Sequence, residues 1–129
     1  MENKVMQELL TSLGDNLLTD IQLDDFKYDL ESLSLTLSKP DESFTLSFEW
    51  VDSFRVTGEG DLLKMQEHFD GQMTTGLYKV ENSSYLKWFH EQSENIHDDI
   101  IEHYLIVTID DVIEVITSAE PSIQTLLRN

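Results

Sequence analysis

Cysteine is absent from the 129 residues. Its absence excludes disulfides, thiolate nucleophiles and cysteine-ligated zinc. Basic residues are scarce: 8 Lys and Arg stand against 26 Asp and Glu, a formal net charge of -18. Nucleic-acid binding needs cations to neutralise phosphates, and an anionic membrane repels a chain of this charge. Neither is an expected partner. Glycine (5) and proline (2) are few, which excludes collagen-like and loop-dominated classes. No apolar run of roughly 18 residues occurs, so no spanning helix is expected. The N-terminal stretch Met1–Leu10 scatters charges among its apolar positions and lacks the h-region of a secretory signal. A cytoplasmic protein is the default expectation. What is present is a hydrophobic fraction of 40% with 9% aromatics, enough for a packed core and unlike a disordered acidic tail. The length suits one domain, expected to span residues 1–129.

Hydrophobic spacing assigns the elements. Val5, Met6, Leu9, Leu10, Leu13 and Leu17 recur in an i, i+3, i+4 pattern. That spacing predicts an amphipathic helix over 3–18, ended or weakened by Gly14. Phe26, Tyr28 and Leu30 alternate with Lys27 and Asp29, and Leu33, Leu35 and Leu37 alternate with Ser34 and Thr36. The phase changes between these runs, predicting a break or bulge near Glu31–Ser32. Phe44, Leu46, Phe48 and Trp50 share one face of a strand, with Thr45, Ser47 and Glu49 on the other. Turn chemistry at Pro40–Asp41 joins it to the preceding run as a β-hairpin over 33–50. Phe54 and Val56 predict another strand, stopped at Gly58–Gly60. Residues 61–69 read as a short helix starting at Asp61, and Leu77, Tyr78 and Val80 as a short strand. N-cap candidates at Asn82–Ser84 introduce a helix over about 84–93. His103–Thr108 reads as a buried strand. Residues 112–117 read as its β-branched partner, with a helix capped by Thr108 as the alternative. A short helical tail is expected after Pro121. The sum is an α+β domain with an antiparallel sheet and helices packed mainly on one face.

Few constellations carry chemistry. His90 and His97 stand seven apart with Glu94 between them. They share a helix face only if the helix continues past Asn95, and the spacing matches no established ligand motif. Solvated polar residues at a helix end are the favoured reading, with a metal-binding module as an alternative. Gly58-Glu-Gly60 puts an acid where a phosphate needs backbone donors, and no Gly-x-Ser-x-Gly elbow exists. The carboxylate pairs Asp24–Asp25, Asp98–Asp99 and Asp110–Asp111 are expected by chance among 26 acids. No catalytic residue, metal or cofactor is therefore expected.

The acidic surface exceeds its background. Asp20, Asp24, Asp25 and Asp29 lie between Asp15 and Glu31 with only Lys27 to offset them. Glu94, Asp98 and Asp99 lie between Glu91 and Glu102 with no Lys or Arg. A charge of -18 exceeds the magnitude of roughly 2–8 suited to a small soluble domain. Its self-repulsion costs stability. The simplest use is capture of a basic partner, which clustered carboxylates steer toward the surface. The candidate contact residues are Asp24, Asp25, Phe26, Tyr28 and Asp29 in one cluster, and Glu94, Asp98, Asp99 and Glu102 in the other. Trp88 and Phe89 flank the second cluster but suit the core face of an amphipathic helix better.

Three stretches, Trp50–Asp61, Tyr78–Ser93 and His103–Ile116, together about a third of the chain, resemble small acidic bacterial immunity proteins that occur beside polymorphic toxins. The likeness lies in fold and composition and not in a catalytic signature. It implies a non-enzymatic inhibitor that binds a cognate toxin, often a basic nuclease, and blocks its active site or an exosite. The alternative is a regulatory adaptor that binds another basic protein, or a peptide strand at a sheet edge. The oligomeric state is open at this point.

Overall fold

The computed structural model describes residues 8–13, 18–58, 74–97 and 100–126. Among them run β1 (Leu9–Leu13), β2 (Gln22–Tyr28), β3 (Leu33–Lys39), β4 (Glu42–Phe48), β5 (Val51–Gly58), β6 (Gly76–Glu81), α1 (Ser84–Gln92), β7 (Glu102–Val107), β8 (Asp111–Thr117) and β9 (Ser122–Leu126). The strands form two sheets, of order β1-β6-β7-β8-β5 and β2-β3-β4-β9. Every pairing is antiparallel.

Side-chain alternation explains how the sheets meet. β3 and β4 pair with Leu33 opposite Phe48 and Leu37 opposite Phe44, so one face carries Leu33, Leu35, Leu37, Phe44, Leu46 and Phe48. Hydroxyl residues such as Ser34, Thr36, Thr45 and Ser47 take the other face. From the five-stranded sheet, Leu77, Tyr104, Ile106, Ile113 and Val115 join the first set in one buried cluster. The Phe48 and Tyr104 rings lie 5.7 Å apart across it. Burying one such side chain is worth roughly 1.5–3 kcal/mol. The other face of the five-stranded sheet is covered too. Tyr78, Val80, Leu105, Val107 and Val112 form a second cluster, and α1 lays Tyr85, Leu86 and Phe89 near Ile101 and Ile116. Cover on both faces explains why β7 and β8 are nearly continuous apolar runs.

The chain passes from one sheet to the other at Glu49–Trp50. The buried Thr117 hydroxyl pins that corner by donating to the Glu49 and Trp50 carbonyls. The hairpin over 33–50 is present, but its second strand ends at Phe48. Trp50 does not share a face with Phe44, Leu46 and Phe48: it sits in the corner, left-handed at φ 54, and is 65% exposed. The phase change near Glu31–Ser32 is the expected break, a tight turn between β2 and β3, and not a bulge. Asp29 N–H donates to the Ser32 carbonyl at 3.1 Å. The bulge lies in β2, between Leu23 and Asp25.

The α+β expectation, with several helices on one face of a single sheet, is overturned. The protein is mostly β, with two antiparallel sheets and one helix among the described residues. Of the helix expected over 3–18, residues 9–13 are instead strand β1, with Leu9 opposite Glu81 and Leu13 opposite Leu77. Residues 3–7 and 14–17 lie outside the described residues. Leu10 and Leu13 look like one helical stripe, yet they supply opposite faces of a strand: Leu10 packs on the second cluster and Leu13 on the first. The tail after Pro121 is strand β9, which sets Ile123 opposite Leu46. The helix alternative after Thr108 gives way to β8, which pairs with both β7 and β5. The helix expected over 61–69 lies outside the described residues. The helix expected over about 84–93 is α1, with Ser83 as its N-cap. Among the described residues, no helix is long and apolar enough to cross a membrane.

Truncating Phe48 to alanine removes the ring that meets Tyr104 between the sheets. It is expected to cost about 3–5 kcal/mol in urea unfolding. Ser34→Ala, on the opposite face of the same sheet, is expected to stay within about 0.5 kcal/mol.

Candidate functional site

β2 is an edge strand, and its bulge decides where its acids go. Asp25 pairs opposite Thr36 and Leu23 opposite Leu37, which leaves Asp24 without a cross-strand partner. Asp24 and Asp25 are both exposed. Phe26 and Tyr28 face the other way and close over Phe54 of β5, with ring centroids 5.3 Å and 4.7 Å from it. Phe26 therefore packs on the core, while Tyr28 remains 38% exposed. Asp29 is occupied locally: its carboxylate accepts from Glu31 N–H at 3.2 Å and Ser32 N–H at 2.8 Å, and from the Ser32 hydroxyl. Those donors, the Ser32 backbone first, lower its pKa. It shapes the β2–β3 turn while keeping its charge at the surface.

The second expected cluster is dispersed. Glu94 is exposed just past α1, left-handed at φ 51. Glu102 opens β7 half-buried, 3.4 Å from Lys79 Nζ. Asp98 and Asp99 lie outside the described residues. α1 stops at Gln92, capped by Ser93, so His90 and His97 do not share a helix face. His97 instead lies with its ring 5.4 Å from that of Phe89 and its Nε2 3.9 Å from Asp52 Oδ1. Among the described residues, no group of three or more His, Asp or Glu could hold a metal ion.

A polar chain that sequence reasoning did not find crosses the outer face of the five-stranded sheet. Cross-strand register puts Arg55 opposite Glu114, and Leu105 on its other side. The Arg55 guanidinium grips the Glu114 carboxylate through Nε and through Nη2, the latter at 3.0 Å from Oε1. His103 Nε2 comes within 3.1 Å of Glu114 Oε1. The contact is bent, and Nε2 makes no well-aligned hydrogen bond, so proximity in a dry site carries the interaction. His103 Nδ1 lies 2.6 Å from Ser83 Oγ, which also accepts Leu86 N–H at 2.9 Å to cap α1. Glu114, His103 and Ser83 are 2%, 2% and 3% exposed. Burial alone raises the Glu114 pKa, but the contacts from His103 and Arg55 outweigh it and hold the carboxyl below its ordinary value. The clue in the sequence was a lone acid in Val-Ile-Glu-Val-Ile-Thr. Period two puts it on the face opposite Ile113 and Val115, and nothing in that run says the face is covered.

Hydroxyl, imidazole and carboxylate in this order resemble a nucleophile relay. Burial denies a substrate access to Ser83 Oγ, and the oxygen is already engaged by Leu86. The chain instead locks the start of α1 to β7, β8 and β5. Glu8 adds a second tie, accepting from Ser84 N–H at 2.6 Å and from its hydroxyl at 2.7 Å, a favourable charge for a helix N-terminus. Beside the lock, a shallow cleft of about 310 Å³ is lined by Ser53, Phe54, Arg55, Tyr85 and Trp88. Arg55 stacks 4.1 Å above the Tyr85 ring, and the Tyr85 hydroxyl is bonded to that of Ser53.

No protein family, curated protein or solved structure matches this chain.

Removing the Glu114 carboxylate by Glu114→Ala strands His103 and Arg55. The expected loss is about 3–5 kcal/mol, toward the lower end because half-exposed Arg55 regains water. Acid should reproduce part of it. The unfolded carboxyl, near 4.5, takes up protons before the folded one. The stabilisation is therefore complete above that value and is lost as pH falls through the lower folded value. Urea unfolding between about pH 5 and pH 2 should show wild type losing more stability than Glu114→Gln. Parallel profiles would contradict this assignment.

Proposed function

We propose that this chain is a stoichiometric binding protein for a basic protein partner, and that the partner is a toxin neutralised by occlusion of its cationic site, as in immunity proteins. The observation that carries the reading is the β2 edge, where the bulge leaves Asp24 without a cross-strand partner and Asp24 and Asp25 both exposed, while Phe26 and Tyr28 close over Phe54. A sheet edge usually carries lysine or inward-pointing charge to discourage pairing. Here exposed Lys27 is outnumbered by the exposed carboxylates of Asp24 and Asp25, which leave the edge with a net negative field. Across the molecule, -18 net charge meets few internal cations. Among the described residues, Arg55–Glu114 and Lys79–Glu102 are the ion pairs made by Lys or Arg. Most carboxylates thus keep their field for an approaching partner. Such a surface accelerates encounter and sets orientation, and a toxin's phosphate-binding cations are the complementary surface.

The test is co-expression with the product of the neighbouring gene, scored by growth rescue and by isolation of a one-to-one complex. Double charge reversal, Asp24→Lys with Asp25→Lys, is expected to slow association on the order of tenfold or more, and raised salt should slow the wild type similarly. Association indifferent to both salt and reversal would contradict the reading. Binding without rescue would favour the adaptor alternative.

A further inference from the structure

Four of the six non-glycine residues with positive φ are polar: Asp20, Asn82, Glu94 and Asn95. Aspartate and asparagine tolerate this region well. The other two are Leu30, at φ 81, and Trp50, at φ 54. Both are large and apolar, and both lie in the open, 82% and 65% exposed. A single exposed apolar residue needs no explanation. These two break the rules of backbone and of surface together, and they do so in adjoining turns. Val51 N–H donates to the Glu31 carbonyl at 2.9 Å, tying the β2–β3 turn to the β4–β5 corner. The Tyr28 hydroxyl donates to the Leu30 carbonyl at 3.2 Å and holds the first turn from below. None of the chain's five glycines falls in either turn, although glycine would relieve both positions. Nor does either side chain belong to a core cluster.

The surroundings fix the chemistry of what these side chains meet. Asp29 and Glu31 flank Leu30, Glu49 precedes Trp50, and Asp52 follows two residues on. All four are exposed, and among the described residues none is paired with Lys or Arg. An apolar centre inside a charged rim is the anatomy of a binding hot spot, in which tryptophan is enriched. A carboxylate rim requires a cationic rim opposite. A second copy of this chain does not qualify, because a two-fold contact would bring like-charged rims together.

We propose that Leu30 and Trp50 are the anchor by which this chain docks, seated in an apolar depression on the basic partner, with Lys and Arg around it meeting Asp29, Glu31, Glu49 and Asp52. This rests on the basic-partner reading and places the centre of contact at the two turns, at the end of the β2 edge. Strain held in a sparsely populated backbone region is retained where function uses it.

The experiment measures affinity for the purified neighbouring-gene product, and thermal unfolding, for the full chain and for Leu30→Gly/Trp50→Gly. Glycine accepts both backbone conformations, so the variant should melt at the wild-type temperature or above it. Its Kd should rise at least about 100-fold. Leu30→Asn/Trp50→Asn, which also tolerates positive φ, should behave alike and guards against a folding artefact of the first variant. Wild-type binding with unchanged variant affinity would overturn the anchor and leave the basic-partner reading standing. Absence of a wild-type complex would overturn both. A melting temperature lowered by many degrees in both variants would show that the side chains serve the fold, and a wild-type dimer dispersed by the variants would show that they serve self-association. Either result would overturn the anchor.

Discussion

The buried carboxylate of Glu114 is the constraint on which the outer half of the molecule depends. An ionised group 2% exposed is tolerable only if its charge is answered. Two strands and a helix cap combine to answer it. Arg55 approaches from β5, His103 from β7, and Ser83 holds the far side of the imidazole while capping α1. The position of the helix, the register of three strands and the charge state of one carboxylate are therefore one coupled arrangement. Arg55 lies over the Tyr85 ring, which extends the coupling to the aromatic side chains of α1. Replacement by well-packed apolar side chains could match the stability of such a network. What the polar version adds is direction, because only one register satisfies it.

The inner half is held differently. Leucine and phenylalanine from β3 and β4 meet the apolar inner face of the five-stranded sheet in a core without charge. Cohesion there is area and packing density, and it is insensitive to pH. This division matters for a chain of -18 charge. Self-repulsion works against the compact state, and an apolar core opposes it without drawing on the few Lys and Arg the sequence has. The carboxylates are then left at the surface, where the proposed basic partner would meet them.

The hairpin over 33–50, the strands at Phe54, Leu77 and His103, and the capped helix near Ser84 were legible because alternation or capping chemistry is local. The N-terminal leucines and the tail after Pro121 were not, since five-residue strands are too short for period to tell helix from strand. β1 and β9 are strands because β6 and β4 offer edges to pair with. Helical spacing at Leu10 and Leu13 served two different cores. Of the candidate site, the acids at 24 and 25 were legible as charge, but their joint exposure depends on a bulge that composition does not announce. Asp29 looked equivalent to them and proved to be a turn residue. Trp50 continued the alternation of Phe44, Leu46 and Phe48 on paper. The left-handed corner that turns it outward is set by Thr117, sixty-seven residues away. Glu114 and Arg55 fifty-nine residues apart form a pair that only strand order reveals.

Capture of a basic partner at the β2 side of the sandwich is the central claim, and amide hydrogen exchange tests it most directly. The measurement compares the free chain with its complex with the neighbouring-gene product. The account predicts added protection over residues 22–31 and 49–52, with β1 and β9 exchanging as in the free chain. Protection confined to β1, β9 or the exposed face of α1, with the 22–31 segment unchanged, would contradict it.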